Sequence, residues 1–225
     1  MFIGHFGLAL AAKKVAPKTS LGALVFATEF VDLLWPICLL LGIEHVAVVP
    51  GITRMTPLDF TDYPITHSLL MGVVWATVVG GVYFLLKRYR RGACVIAIGV
   101  LSHWILDWVT HRPDLALYPG TTIKYGLGLW NHPVAEMILE CGIFIFGTIV
   151  YMTATSARDK VGRYAAWSLI VFLLSAWLSA LFGGAPPPAK ALAWISLSIW
   201  VTVPWAWWAD QHRELVINSV KTSDK

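Results

Sequence analysis

Charged residues are scarce in this 225-residue chain: Asp, Glu, Lys and Arg together make up 13%, against 57% apolar residues and 12 tryptophans. An ordinary soluble domain of this length carries about 25% charge, so that class is excluded. No nucleic-acid partner is expected. Cysteine is also sparse. Cys38, Cys94 and Cys141 stand singly and form no CxxC pair, which argues against a disulfide framework or a thiolate metal site. The opening MFIGHFGLALAAKK lacks a positive leader and a cleavage site, so it is expected to be a short membrane-embedded helix and not a removable signal peptide. Neither an internal repeat nor a low-complexity linker is present. One integral membrane domain is expected over residues 1–210, with 211–225 as a short polar cytoplasmic tail.

Long apolar runs, by contrast, are abundant. Six stretches approach the ~20 residues needed to cross a hydrocarbon core of about 30 Å. They are Leu21–Ile43, Thr66–Leu86, Ala93–Thr110, Val134–Thr155, Tyr164–Phe182 and Ala191–Trp208. The expected fold is all-α: a polytopic bundle of six transmembrane helices plus the short N-terminal helix. If the spans alternate, all of the 17 Lys and Arg residues except Arg54, Arg112, Lys124 and Lys190 fall on one side. The positive-inside bias makes that side cytoplasmic, and a bacterial inner membrane is the expected location. The longer loops, Glu44–Ile65 and His111–Pro133, then face outward.

Ionisable side chains in a span are costly, so their clustering is a functional signal. SHWILDWVTHRPD places His103, Asp107 and His111 at successive fourth positions near the outer end of the third span. His67 opens the second span from that side, His132 and Glu136 open the fourth, and Asp32 lies in the outer half of the first, with Glu29 below it. His5 stands eight residues before Lys13, a helical rise of about 12 Å back into the bilayer. Only His45 and His212 fall outside this constellation.

Helix positions four apart share a face, so His103 with Asp107, and His132 with Glu136, are expected to reach one ion each; His111 suits a second ion. Imidazole and carboxylate without thiolate suit zinc or a similar divalent metal. Plainer readings exist for each feature. HxxxDxxxH can be a polar seam between helices, Glu136 can answer the helix dipole, and Glu140 can take its place as the functional acid. The fifth and sixth spans lack ionisable residues and are expected to be structural.

The segments GHFGLALAAKK, FVDLLWP, PLDFTDYPITHSLL, SHWILDWVTHRPDLALYPG and GLGLWN, covering about the first 140 residues, resemble bacterial membrane-bound metal-dependent hydrolases. Their order of His, Asp, His and HxxxD also resembles the zinc-dependent phospholipase C and single-strand nuclease superfamily. The resemblance implies metal ligation by His5, Asp32, His67, His103 and Asp107. His111, His132 and Glu136 match its further-metal ligands, for one to three ions in all.

Together these readings point to a membrane-embedded, zinc-dependent hydrolase acting on a lipid or lipid-linked phosphoester near the outer surface. Asp32, Glu29 or Asp62 is the expected general base, and Arg112 is a candidate phosphate clamp. A zinc amidase of the ceramidase type, using Ser68 or Ser102, stays open as an alternative. So does a metal-binding or transport protein.

Overall fold

A computed structural model describes residues 1–184 and 186–216. Helix α1 (Ile3–Val15) has 13 residues and a length of about 20 Å, too short to cross the membrane, and is buried in the middle of the bundle. Its apolar composition lets it sit there; Lys13 and Lys14 end its membrane path. The first expected span is not one helix. It is α2 (Leu21–Thr28) and α3 (Phe30–Leu40), bent by 55° at Glu29. Neither glycine nor proline sits at the bend, since Pro36 lies inside α3. Instead the Thr28 carbonyl, which a continuous helix would give to residue 32, accepts His103 Nδ1–H at 2.7 Å.

Helices α4 (Leu69–Lys87) and α5 (Arg90–Thr110) form an antiparallel hairpin, followed by α6 (Pro133–Ala154) and α7 (Lys160–Phe182). The last span comprises α8 (Ala189–Ser196), a 3-10 segment (Leu197–Val201) and α9 (Thr202–Gln211). Pro204 explains its irregularity: it cannot donate to the Trp200 carbonyl, and its ring crowds that turn. Five units are thus long and apolar enough to span, and the bent α2–α3 pair is a sixth, matching the expected all-α membrane bundle.

Helix α1 lies against α6 at backbone contact. A Cβ added to Gly147 would stand 1.9 Å from the Gly7 carbonyl oxygen, and one added to Gly7 would stand 2.6 Å from that of Ile143. Small residues of this kind allow close helix approach in lipid, where packing replaces the hydrophobic drive. Gly147→Ala is therefore expected to push α1 off α6 and to cost about 1–3 kcal/mol or more, read by denaturant titration in micelles. Unchanged stability would mean that the two helices are not in backbone contact.

Short strands tie the ends. Strands β1 (His45–Val48) and β2 (Leu58–Asp62) pair antiparallel with His45 opposite Asp62, and β3 (Leu115–Ala116) pairs with β4 (Lys124–Tyr125). At the other end β5 (Thr155–Ala157) pairs with β6 (Arg213–Leu215). That pairing reaches past residue 210, the expected start of the polar tail. Arg213 is buried and donates to both oxygens of Thr155 at 2.9 Å and to the Gly162 carbonyl at 3.0 Å, so packed chain continues to β6. Residues 217–225 of the expected tail lie outside the described residues.

The basic clusters gather at this second end. Lys18 stands over the Tyr89 ring, Tyr83 donates to Thr19, and Lys13 pairs with Asp210. The long loops and the β1–β2 hairpin occupy the opposite end, above the histidines.

Candidate metal centre

Each polar residue of the cluster is delivered by a different local device. The bend after Thr28 turns α3 so that Asp32 approaches His103. His67 precedes α4 in the extended turn whose Ser68 backbone bridges Ala116, and α5 carries His103 and Asp107 on one buried face. Helix α1 brings His5 by its contact with α6. Glu140 fixes the start of that helix: it accepts N–H bonds from Phe2 and, at 3.4 Å, from Gly4, and its second oxygen accepts Trp177 Nε1–H at 2.6 Å.

Four ligand atoms converge. Asp32 Oδ1 lies 3.3 Å from His67 Nε2 and 3.5 Å from His103 Nε2, while Asp107 Oδ2 lies 3.1 Å from His103 Nε2 and 3.5 Å from His67 Nε2. A tetrahedral zinc with bonds of about 2.0–2.1 Å has ligand–ligand edges of about 3.3–3.4 Å, close to these four separations, and two groups that share His103, namely Asp32, His67, His103 and His5, His103, Asp107, each have all their ligand atoms within 4.8 Å of one another. His5 Nε2 is 3.2 Å from Asp107 Oδ1, and its ring stacks on His103 at 3.7 Å. The Met1 amine donates to the same Oδ1 at 2.7 Å. His111 Nε2 stands farther out, 3.9 Å from Asp107 Oδ2.

Hydrogen bonding on the far side of each ring prepares it for a cation. A carbonyl only accepts, so His103 Nδ1 must donate to Thr28, which leaves Nε2 of the neutral ring as a lone pair facing two carboxylates. For His67 the chain is longer. Thr66 Oγ1 donates to Glu44 Oε2 at 2.7 Å and thereby accepts His67 Nδ1–H at 2.7 Å. Glu44 is itself held by the Ile65 and Thr66 N–H groups at 2.8 and 2.9 Å. His111 Nδ1 donates to Asp114 Oδ1 at 3.0 Å, and Tyr63 donates to the same oxygen at 2.7 Å. Burial, with Asp114 beside it, pushes the Tyr63 phenol well above its usual range, so it remains a donor; burial also lowers His111, favouring the neutral ring. Such outer partners orient ligating histidines and fix their tautomers.

Several of the expected site residues are not brought to the cluster. His132 is exposed and non-helical (φ −125°, ψ 70°), ahead of the helix that starts at Pro133, so it does not share a face with buried Glu136 and the two do not hold one ion. Glu136 faces the Glu140 region instead, and Glu140 is occupied as a helix cap. Asp62 is more than half exposed and pairs with His45 at 3.6 Å on the hairpin. Arg112 is engaged by Asp59 and, at 3.5 Å, by Asp114. Glu29 is fully buried at the α2–α3 bend, outside the cavity, and neither of its oxygens has a hydrogen-bond partner among the described residues. A base there lacks access to bulk water. Ser68 and Ser102 both spend their hydroxyls on backbone carbonyls, at 2.6 and 2.7 Å. The signal for Glu44 and Thr66 was weak, because Glu44 lies in a loop and Thr66, the first residue of the second expected span, falls in the turn before α4.

The cluster floors a cavity of about 400 Å³ bordered by Asp32, His67, Asp107 and His111. Over His111, Trp130 and Phe60 form an aromatic canopy with ring centroids at 4.0 and 5.0 Å. The opposite wall comes from α7 and the last span, through Leu173, Ala176, Leu192 and Ile199. These helices, expected to be structural only, therefore shape the site.

The family model described as YdjM inner membrane protein matches residues 3–185, most of the chain and all of the cluster. The chain belongs to the YdjM inner membrane protein family. This YdjM-family chain is accordingly a multi-pass inner membrane protein, and its bilayer association follows from that. No curated protein and no solved structure matches it. The likeness to the phospholipase C and nuclease superfamily gains no support from these comparisons and rests on residue order alone.

Proposed function

We propose that this protein is a zinc-dependent hydrolase that cleaves a phosphoester of a lipid or lipid-linked substrate. The observation that carries the reading is the convergence of Asp32, His67, His103 and Asp107 at tetrahedral-edge spacing on the floor of an otherwise apolar cavity. A bound zinc would lower the pKa of coordinated water toward about 7 and polarise a phosphoryl oxygen. Asp32, whose side chain is 24% exposed toward the cavity against 2% for Asp107, is the carboxylate able both to ligate and to take a proton from water. His5 and His111 flank Asp107 and are positioned to hold a further ion or the anionic substrate.

The cavity supports an enzyme over a conduit. Below Phe6 and Leu173 the bundle closes into an apolar core that includes Leu10, Leu21, Val25 and Leu169. With the basic end in the cytoplasm by the positive-inside bias, the site would act at the outer leaflet of the inner membrane.

The test is metal analysis of purified protein alongside hydrolysis of bis-p-nitrophenyl phosphate, phosphatidylglycerol and a ceramide, each with and without chelator. At least one tightly held zinc per chain is expected, with phosphoester cleavage that chelator removes and zinc restores. Metal-free protein, or cleavage indifferent to chelator, would sink the reading; cleavage of ceramide alone would replace it with the amidase.

A further inference from the structure

The cavity is longer than a metal site needs. Beside the His/Asp floor, at the level of Phe6 and Leu173, it runs along α7 from Phe172 to Ala180 near the loop end, eight residues and about 12 Å.

The walls also part sideways. Helix α7 packs on α9, whereas α8 turns away to pack on α3 and β1. Two residues that line the cavity, Phe172 and Ile195, are at the same time 42% and 58% exposed on the surface that the spanning helices present to the bilayer. A residue that both lines the interior and reaches the lipid side marks a rim. The loop end, in contrast, is roofed by Phe60 and Trp130. Access is therefore through the side of the bundle.

We infer that the gap between α7 and α8 is a lateral entrance through which one acyl chain of a membrane phospholipid slides from the bilayer, bringing its phosphate to the His/Asp floor. This deepens the hydrolase reading and rests on it for the fate of the phosphate. A volume near 400 Å³ is at the small end of the ~300–1,000 Å³ range of ligand pockets, enough for one chain beside the head group and not for a pair. The second chain stays outside in the bilayer. Ser196 and Ser198, set among the apolar wall residues, offer hydroxyls to the ester region of such a lipid.

The test is photo-crosslinking in nanodiscs with a phosphatidic acid carrying a diazirine midway along one chain, with adducts mapped by mass spectrometry and zinc measured on the same samples. Adducts are expected on Phe172, Leu173 and Thr202. Ala176→Trp, which fills the slot, should reduce them tenfold or more while zinc content stays at the wild-type level. Ile195→Trp blocks the exposed rim without entering the packed interior and should do the same. Adducts confined to outward positions such as Val78 and Leu85, or slot adducts that neither variant lowers, would overturn the entrance. Slot adducts in a protein that holds no zinc would support the entrance and sink the hydrolase reading, so the two failures are distinct.

Discussion

Replacing His103 with alanine is expected to strip the protein of tightly held zinc and of all metal-dependent hydrolysis. His103 Nε2 faces both Asp32 and Asp107 and is common to both candidate ligand groups, so its loss breaks each of them and leaves the two carboxylates closer to uncompensated repulsion. Affinity should fall by more than the ~10–100-fold that loss of an outer partner costs. Thr66→Val supplies that lesser case. His67 stays in place but loses the acceptor that links it to Glu44, so a drop of about 10–100-fold is expected. Zinc titration against a competing chelator measures both, with helical content checked by circular dichroism. Wild-type zinc content in His103→Ala would remove the centre from consideration.

That prediction draws on residues the sequence advertised. His103, Asp107 and His111 were legible because a four-residue rhythm of ionisable groups inside an apolar helix has a fixed geometric meaning. His67 and Asp32 were legible from depth alone. The same rule misled at His132 and Glu136, where the spacing is right but the helix begins at Pro133, so the first of the pair lies outside the helix. Helix existence carried over well; the bend at Glu29 did not. LGALVFATEFVDLLWP holds no breaker at the bend, and the chain turns there because a histidine some 75 residues later takes the Thr28 carbonyl. A tertiary contact of that kind leaves no local trace.

Apolar roles were the harder ones to see. The fifth and sixth spans offered no ionisable residue, and so no signal, yet α7 and α8 form the far wall of the cavity. Trp104 and Trp108, which flank Asp107 in sequence, pack instead with Trp35, Tyr63 and Leu115 under the hairpin. Neighbours along a helix point in different directions, and only the period of 3.6 tells which one faces the site.

The largest effect on stability is expected far from the cluster, at the basic end. Lys13 Nζ bonds Asp210 Oδ2 at 2.7 Å with both side chains less than a tenth exposed, and also the Thr19 carbonyl at 3.0 Å. Asp210 in turn accepts Leu21 N–H at 3.0 Å and Tyr151 O–H at 3.1 Å, so one carboxylate joins α1, α2, α6 and α9. Breaking a buried pair strands a charge, which costs about 3–5 kcal/mol. Lys13→Met should therefore destabilise the fold by that amount in denaturant titration. Asp210→Asn should cost somewhat less, because an amide oxygen in the Oδ2 place can still accept from Leu21 and Lys13 while the NH2 in the Oδ1 place donates to the Tyr151 oxygen, so that Lys13 loses only its counter-charge. Below the unfolding transition both variants should bind zinc like wild type, since the pair and the cluster occupy opposite ends of the bundle. Unchanged stability in Lys13→Met would contradict the buried Lys13–Asp210 pair that ties α1 to α9. Zinc loss in the folded variants would instead mean that the position of His5 on α1 depends on the far end of the same helix.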